Sequence, residues 1–383
     1  MQDVYVVMSA RSAVARKDGL LANVRSDELL ADVLDELMVR ANVDKSFVED
    51  VIIGCVTQVN EQAMNIARTA SLIAGFPEQV PGVTIDRQCG SSQQAVHFGA
   101  QAIAAGDMDV VIAGGVESMT RSPMFSNIGQ TKHSPRLTEQ YEIVHQGISA
   151  EKIADRWKFS RQALDEFAYL SHNRALNAID EGKFTKEIIP LKITNDNNEQ
   201  ITFETDEGPR RDTSVEVLSS LKPVFKEKGK ITAGNASQMS DGASAVLLMS
   251  GKMVQQLGIK PQAKIIARTV VGSDPTLMLT GPIAATRQVL KRANLSIDDI
   301  DRYEVNEAFA SVPLAWLEDT QANPQKLNVN GGAIALGHPL GATGTRLITT
   351  LLHELERIDG KYGLVAICEG MGMANATIFE RVN

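Results

Sequence analysis

Cysteine is scarce in this chain: Cys55, Cys89 and Cys368 are the only three in 383 residues. So sparse and odd a set excludes a disulfide scaffold and fits a reducing compartment. No CxxC, HExxH or paired Cys/His spacing occurs, so no metal is expected. No apolar run approaches the ~18 residues of a membrane-spanning helix. The first ten residues hold an apolar stretch too short for a signal peptide and without basic flanks, and the last four, Glu-Arg-Val-Asn, are not a peroxisomal tripeptide. The expectation is the cytoplasm. Positive charge is in deficit, with a net charge of −9, which leaves no global footprint for nucleic acid. Aromatic residues make up only 5%, against 29 glycines; small residues suit close helix–sheet packing.

What is present is ordinary globular material. Hydrophobic residues at 43% and charged residues at 22% allow a large core and argue against disorder. The length suggests two or three domains.

The stretch that organises the chain is Val83-Thr84-Ile85-Asp86-Arg87-Gln88-Cys89-Gly90-Ser91-Ser92. A short apolar strand runs into a polar turn, and small residues then open a helix that reaches Gly106. A cysteine at a strand-to-helix turn lies where helix-start N–H groups and the dipole favour the thiolate, a way to make a nucleophile. The same stretch also suits a buried structural cysteine, and taken alone it does not choose.

Residues 1–118 alternate strands (Val4–Met8, Val51–Val56, Val110–Ala113) with helices, one capped by Ser26 and one over Asn65–Ala74. This predicts an α/β fold with a mostly parallel sheet. Residues 119–240 are richer in Pro, Asn, Lys and Glu, with one amphipathic helix after Ser160, and read as an insertion over the sheet. From Asp241 the strand–helix pattern resumes. The second half echoes the first at an offset of 252: Arg40-Ala41-Asn42 matches Arg292-Ala293-Asn294, and the Cys89 turn falls over Gly341-Ala342-Thr343-Gly344. Val110–Gly114 falls over Leu364–Cys368, two positions out of step. Such a run favours duplicated βα units whose equivalent strand ends share one cleft, where Cys89, Asn306, His338 and Cys368 would converge. The domains expected are an N-terminal half (1–118 plus 241–261), an inserted loop domain (119–240) and a C-terminal half (262–383).

The C-terminal half holds Asn306-Glu307-Ala308-Phe309-Ala310, a glycine-rich loop ending Leu336-Gly337-His338-Pro339-Leu340-Gly341, and the turn Cys368-Glu369-Gly370-Met371-Gly372. Glycines at a strand end let backbone N–H groups approach a ligand, as an oxyanion hole needs. His338 can take the proton of Cys89, or merely cap its loop. Asn306 can cap the helix after it. Cys55 reads as core, and His97, His172 and His353 as surface or packing residues.

These segments, in this order and spacing, resemble the thiolase family, and the resemblance spans essentially the whole chain, including Thr232-Ala233-Gly234-Asn235-Ala236-Ser237. It implies two duplicated βαβαβαββ halves in five layers, αβαβα, with an inserted loop domain. It implies Cys89 as the nucleophile that takes the acyl group, His338 as its base, and Cys368 as the acid/base at C2 of acetyl-CoA. Asn306 would hold a water that, with His338, stabilises the enolate oxygen; backbone N–H groups of Cys89 and Gly370 would form a second oxyanion hole. The implied reaction is thiolytic cleavage of 3-ketoacyl-CoA in fatty-acid β-oxidation. The rivals are condensation of two acetyl-CoA and a non-catalytic acyl-CoA or lipid carrier on the same fold. CoA is then a co-substrate, with no permanently bound cofactor. Arg210, Ser237 and His145 fall at CoA or substrate positions, with Arg211 and Lys222 as further phosphate partners. A homodimer or dimer of dimers is implied, with a β-oxidation subunit as a further partner. The chain departs from the family pattern at Ala10–Ala15, at Gln146 (Met in acetoacetyl-specific enzymes), at Thr343 (commonly Ser) and at Met371 (commonly Gly).

Overall fold

The apolar runs of the sequence become one long mixed sheet in the computed structural model, which describes residues 2–195 and 197–382. Its main strands are β1 (Val4–Ser12), β2 (Asp50–Gly54), β3 (Gly82–Ile85), β4 (Val110–Ser118), β5 (Ser240–Ser250), β6 (Ala263–Gly272), β7 (Arg302–Val305), β8 (Tyr362–Glu369) and β9 (Met373–Arg381). They hydrogen-bond in the order β7-β8-β9-β6-β1-β5-β4-β2-β3. Among these nine strands only β2 with β3, β2 with β4, and β7 with β8 pair in parallel, and the short strand Ile188–Ile189 adds a parallel pairing to β1. The expectation of a mostly parallel sheet is therefore corrected. Helical crossovers make the parallel pairs, but β8 returns to β9 through a three-residue turn, and so short a connection can only give antiparallel neighbours.

The helices are α1 (Ser26–Ala41), α2 (Ile66–Ile73), α3 (Ser91–Ala105), α4 (Gln146–Arg156), α5 (Arg161–Asp180), α6 (Gly281–Ala293), α7 (Ser311–Thr320) and α8 (Thr343–Ile358). Side-chain alternation along the strands separates three buried cores. Val111 of β4 and Val365 and Ile367 of β8 pack on Ala95 and Val96 of α3 and on Leu347 and Leu351 of α8. From the opposite faces, Ile112 meets Leu34 and Leu37 of α1, and Leu364 meets Val289 of α6 and Trp316 of α7. The result is helices, sheet, paired central helices, sheet, helices. From the insertion, α5 gives Leu164 and Phe167 to one outer core and Ala175 and Ala178 to the other, so it straddles both halves.

The duplication is explicit. α1 and α6 end at Ala41 and Ala293, each on a left-handed asparagine, Asn42 at φ 52° and Asn294 at φ 55°. α3 and α8 begin at Ser91 and Thr343. Asp50 pairs with Val111, and Arg302 with Gly363. All are 252 apart, so β4 and β8 correspond in step rather than two positions out. Between the halves, β1 and β6 share only Tyr5–Lys264 and Val6–Ala263. Ser26 is not a cap: Arg25 occupies that position, and the Ser26 hydroxyl donates to Gln62 Oε1 instead. Among the described residues no helix is long and apolar enough to cross a membrane.

Candidate active site

The turn between β3 and α3 is drawn tight by its own polar side chains. Asp86 Oδ1 accepts from the N–H of Gln88 at 2.6 Å. The hydroxyl of Ser91 accepts from the N–H of Arg87 at 2.8 Å and donates to the carbonyl of Gln88 at 2.6 Å. Cys89 is left half-buried, packed on Val56, Met119 and Leu340. Gly90, not Cys89, caps the helix. Burial, the neighbouring Cys368 and Glu369 push the Cys89 thiol well up, which outweighs the helix-start argument from sequence. The resting group is a thiol.

The histidine arrives on a loop that requires glycine. Gly337 sits at φ +101°, and a Cβ there would collide with the hydroxyl of Ser240. Buried His338 is fixed by its backbone N–H on the carbonyl of Gln238 at 3.1 Å. Its Nδ1 lies 2.6 Å from Thr343 Oγ1, and its Nε2 lies 3.3 Å from Asn306 Nδ2. Burial, with Arg346 behind it, lowers the imidazole to about 3, so it is neutral and able to accept a proton at neutral pH. Two residues from His338, Leu340 touches Cys89. The loop is anchored by Glu117 at the end of β4. That carboxylate accepts from the N–H groups of Val56 and Thr57, each at 3.0 Å, from Gln62 Nε2 at 3.0 Å and from the Gly341 N–H at 2.9 Å.

Asn306 follows β7 and extends the ladder, its N–H on the carbonyl of Ala366 at 3.1 Å. Its amide nitrogen lies 3.3 Å from His338 Nε2, its nearness lowers the thiol of Cys368, and its buried Oδ1 has no partner among the described residues. Fully buried Cys368 is pushed up to about 12, chiefly by burial. Next to Asn306, Glu307 accepts from Ser171 at 2.7 Å, Asn328 at 2.8 Å and the Ile334 N–H at 3.2 Å, which ties α5 to the glycine loop. Gly370 packs against Gln88, so the two cysteine turns touch. Met371 stands at φ +64°, a left-handed position that explains why glycine suits it better.

The remaining sequence candidates lie in the insertion. His145 is exposed, stacks on Phe225 at 5.1 Å, and caps α4 by accepting from the Gly147 N–H at 3.1 Å. Gln146 Nε2 lies 3.7 Å from Met124 Sδ, and Met124 in turn packs beside Cys89. Arg210 and Lys222 are exposed; Arg211 pairs with Asp180 at 3.0 Å. Ser237 is half-buried, its N–H on the carbonyl of Ala308 at 3.0 Å. His97, His172 and His353 are buried packing residues, and Cys55 is fully buried. Sequence reasoning passed over Glu117, Glu307 and Glu369; for Glu307 the signal was an acid beside a motif asparagine, whereas Glu117 and Glu369, at the ends of apolar strands, read like solvated strand ends.

Two thiols, an imidazole and an amide thus gather at the strand ends of a duplicated α/β fold. The description of the thiolase N-terminal domain matches residues 4–252, and that of the thiolase C-terminal domain residues 259–381. A steroid 3-ketoacyl-CoA thiolase of Mycobacterium tuberculosis is 48% identical, over 100% of this chain and 95% of its own. A 3-ketoacyl-CoA thiolase of Aeromonas hydrophila is 44% identical over 100% of both. The crystal structure of the Bacillus anthracis acetyl-CoA acetyltransferase superposes with a TM-score of 0.93 at 37% identity, covering 100% of this chain and 99% of the other. The chain belongs to the thiolase family.

Proposed function

We propose that the protein cleaves 3-ketoacyl-CoA with CoA, giving acetyl-CoA and a shortened acyl-CoA by way of an acyl group on Cys89. The observation that carries this reading is Asn306, whose amide faces His338 Nε2 at 3.3 Å and offsets part of the rise of the Cys368 thiol, while Cys368 in turn raises the thiol of Cys89. His338 Nε2 takes the Cys89 proton, and the thiolate attacks C3. The C2–C3 bond breaks, its electron pair becomes the enolate of acetyl-CoA, and Cys368 delivers a proton to C2. Asn306, through a water, and His338 stabilise the enolate oxygen. Backbone N–H groups of Cys89 and Gly370 stabilise the oxyanion at the thioester. The Cys368 thiolate then takes the proton of the incoming CoA thiol, the CoA thiolate takes the acyl group from Cys89, and His338 returns its proton to the released Cys89 thiolate.

Residues 119–240 form the CoA-binding unit between the halves 1–118 plus 241–261 and 262–383, with His145, Arg210 and Ser237 at the co-substrate. CoA enters as co-substrate and no cofactor stays bound. The working form is a homodimer or dimer of dimers in the cytoplasm, open to a β-oxidation partner subunit. The similarity to a steroid 3-ketoacyl-CoA thiolase and Gln146 at the acyl side support substrates larger than acetoacetyl-CoA.

Incubation with a 3-ketoacyl-CoA lacking free CoA should add one acyl mass to the Cys89 peptide, and Cys89→Ala should abolish it. Cys368→Ser should still acylate from acetyl-CoA yet lose cleavage by roughly 10²–10⁴-fold, as lost acid–base catalysis does. Label on Cys55 instead would refute the assignment. A cleavage assay from acetoacetyl-CoA upward reads the chain-length preference.

A further inference from the structure

The duplication allows the same turn to be compared in its two copies. Ser91 opens α3 and Thr343 opens α8, 252 positions apart; Arg87 and Pro339 are the corresponding residues four positions before them. In the first copy the Ser91 hydroxyl donates to a carbonyl of its own turn, that of Gln88, and accepts from the Arg87 N–H. In the second copy the Thr343 hydroxyl also donates to a carbonyl of its own turn, that of Pro339, at 2.9 Å. Proline has no N–H to return. The accepting side of the Thr343 hydroxyl is thereby released, and His338 Nδ1 lies there at 2.6 Å.

Donor counting then fixes the proton. The amide nitrogen of Asn306 has only hydrogens to give, so Nε2, which faces it at 3.3 Å, accepts and is the bare nitrogen. Neutral imidazole carries one N–H, which is then on Nδ1 and donates to Thr343 Oγ1, leaving the Thr343 hydrogen for the Pro339 carbonyl. Thr343 is fully buried, so bulk water does not compete for either bond.

We infer that Thr343, with Pro339, is a positioning residue that holds His338 in its Nδ1–H tautomer and presents Nε2 to the reacting groups. The inference rests on the reading of His338 as the base for Cys89. When Nε2 takes the thiol proton, the positive imidazolium keeps its Nδ1–H on a hydroxyl already polarised by a carbonyl, which stabilises the cation as it forms.

Nitrogen NMR of histidine-labelled protein tests it, with His338→Gln identifying the His338 signal among the six histidines. The expected parent spectrum near pH 7.5 has Nδ1 protonated and Nε2 bare. Thr343→Ser should keep that pattern, and its kcat should stay within about threefold. Thr343→Val should lose the pattern and lower kcat by roughly ten- to a hundredfold with little change in KM, the usual scale for removing a partner that orients a catalytic group. Thr343→Ala serves in its place if the valine variant does not fold. A Thr343→Val or Thr343→Ala protein that keeps the Nδ1–H pattern and the parent kcat overturns the inference. The base reading is tested apart: if His338→Gln alkylates Cys89 with iodoacetamide as fast as the parent, His338 is not the base, and the tautomer spectrum alone decides the role of Thr343.

Discussion

Glu369 follows Cys368 in the chain, yet its side chain turns back beneath Gly90, and both of its oxygens are buried without a partner among the described residues. Burial pushes this carboxyl up to about 8, against the pull of Arg87 and with the help of Asp86. It is therefore neutral at pH 7. As pH rises through that value a negative charge forms beside Cys89, whose thiol it raises, so the thiolate fraction lags. Iodoacetamide alkylation of Cys89 should climb less steeply above pH 8 in the parent than in Glu369→Gln. Superimposable profiles from pH 7 to 10 would show that the carboxyl does not ionise there. Cys89, Cys368 and His338 stand out in the sequence because glycine-rich turns flag residues brought close to a ligand. Glu369 does not, since an acid after an apolar strand reads as a solvated strand end, and only its packing beneath Gly90 reveals it.

Among the elements, the loop after β2, the end of β4 and the histidine loop are joined by one carboxylate, that of Glu117. Replacing it by alanine strands three backbone N–H groups in a buried space, while Gln62 Nε2 keeps the Thr57 carbonyl at 2.7 Å. At about 1 kcal/mol or more for each orphaned donor, Glu117→Ala should lower unfolding stability by about 3 kcal/mol or more, read from urea denaturation; a loss below about 1 kcal/mol would mean the donors find other partners. Helix and strand positions were legible from periodicity, and α5 does follow Ser160, whose hydroxyl accepts from the Ala163 N–H. The sheet's direction was not, because hydropathy records which residues are buried and says nothing of which way a neighbouring strand runs. Ser26 failed as a cap because Gln62, 36 positions away, takes its hydroxyl.

For the molecule as a whole, the buried titratable groups set a stability profile in pH. His97 and His338 are lowered to about 3 and His172 to about 4, by burial first and then by nearby arginines. These folded values lie below the unfolded value of about 6.5, so their contribution is complete above that pH and is lost as pH falls. Glu304 and Glu369 are raised to about 8, by burial first. Their contribution is complete below about pH 4 and is lost as pH rises toward 8. Three protons gained by the unfolded chain on one side and two lost on the other put the maximum Tm near about pH 6. Calorimetry from pH 4.5 to 8.5 should find that peak; a Tm still rising at pH 8 would show that the two glutamates are not held as neutral acids. The 252-residue repeat also assigns every site residue a twin. Cys89 corresponds to Gly341 and Cys368 to Val116, so neither thiol has a thiol for its counterpart. Glu117 corresponds to Glu369, and one copy binds four donors while the other is left idle beneath the nucleophile. A chain doubled without divergence would own two identical, half-equipped clefts. This one has let its two copies diverge, and in the mechanism proposed above one copy carries the acyl group and the other moves the protons.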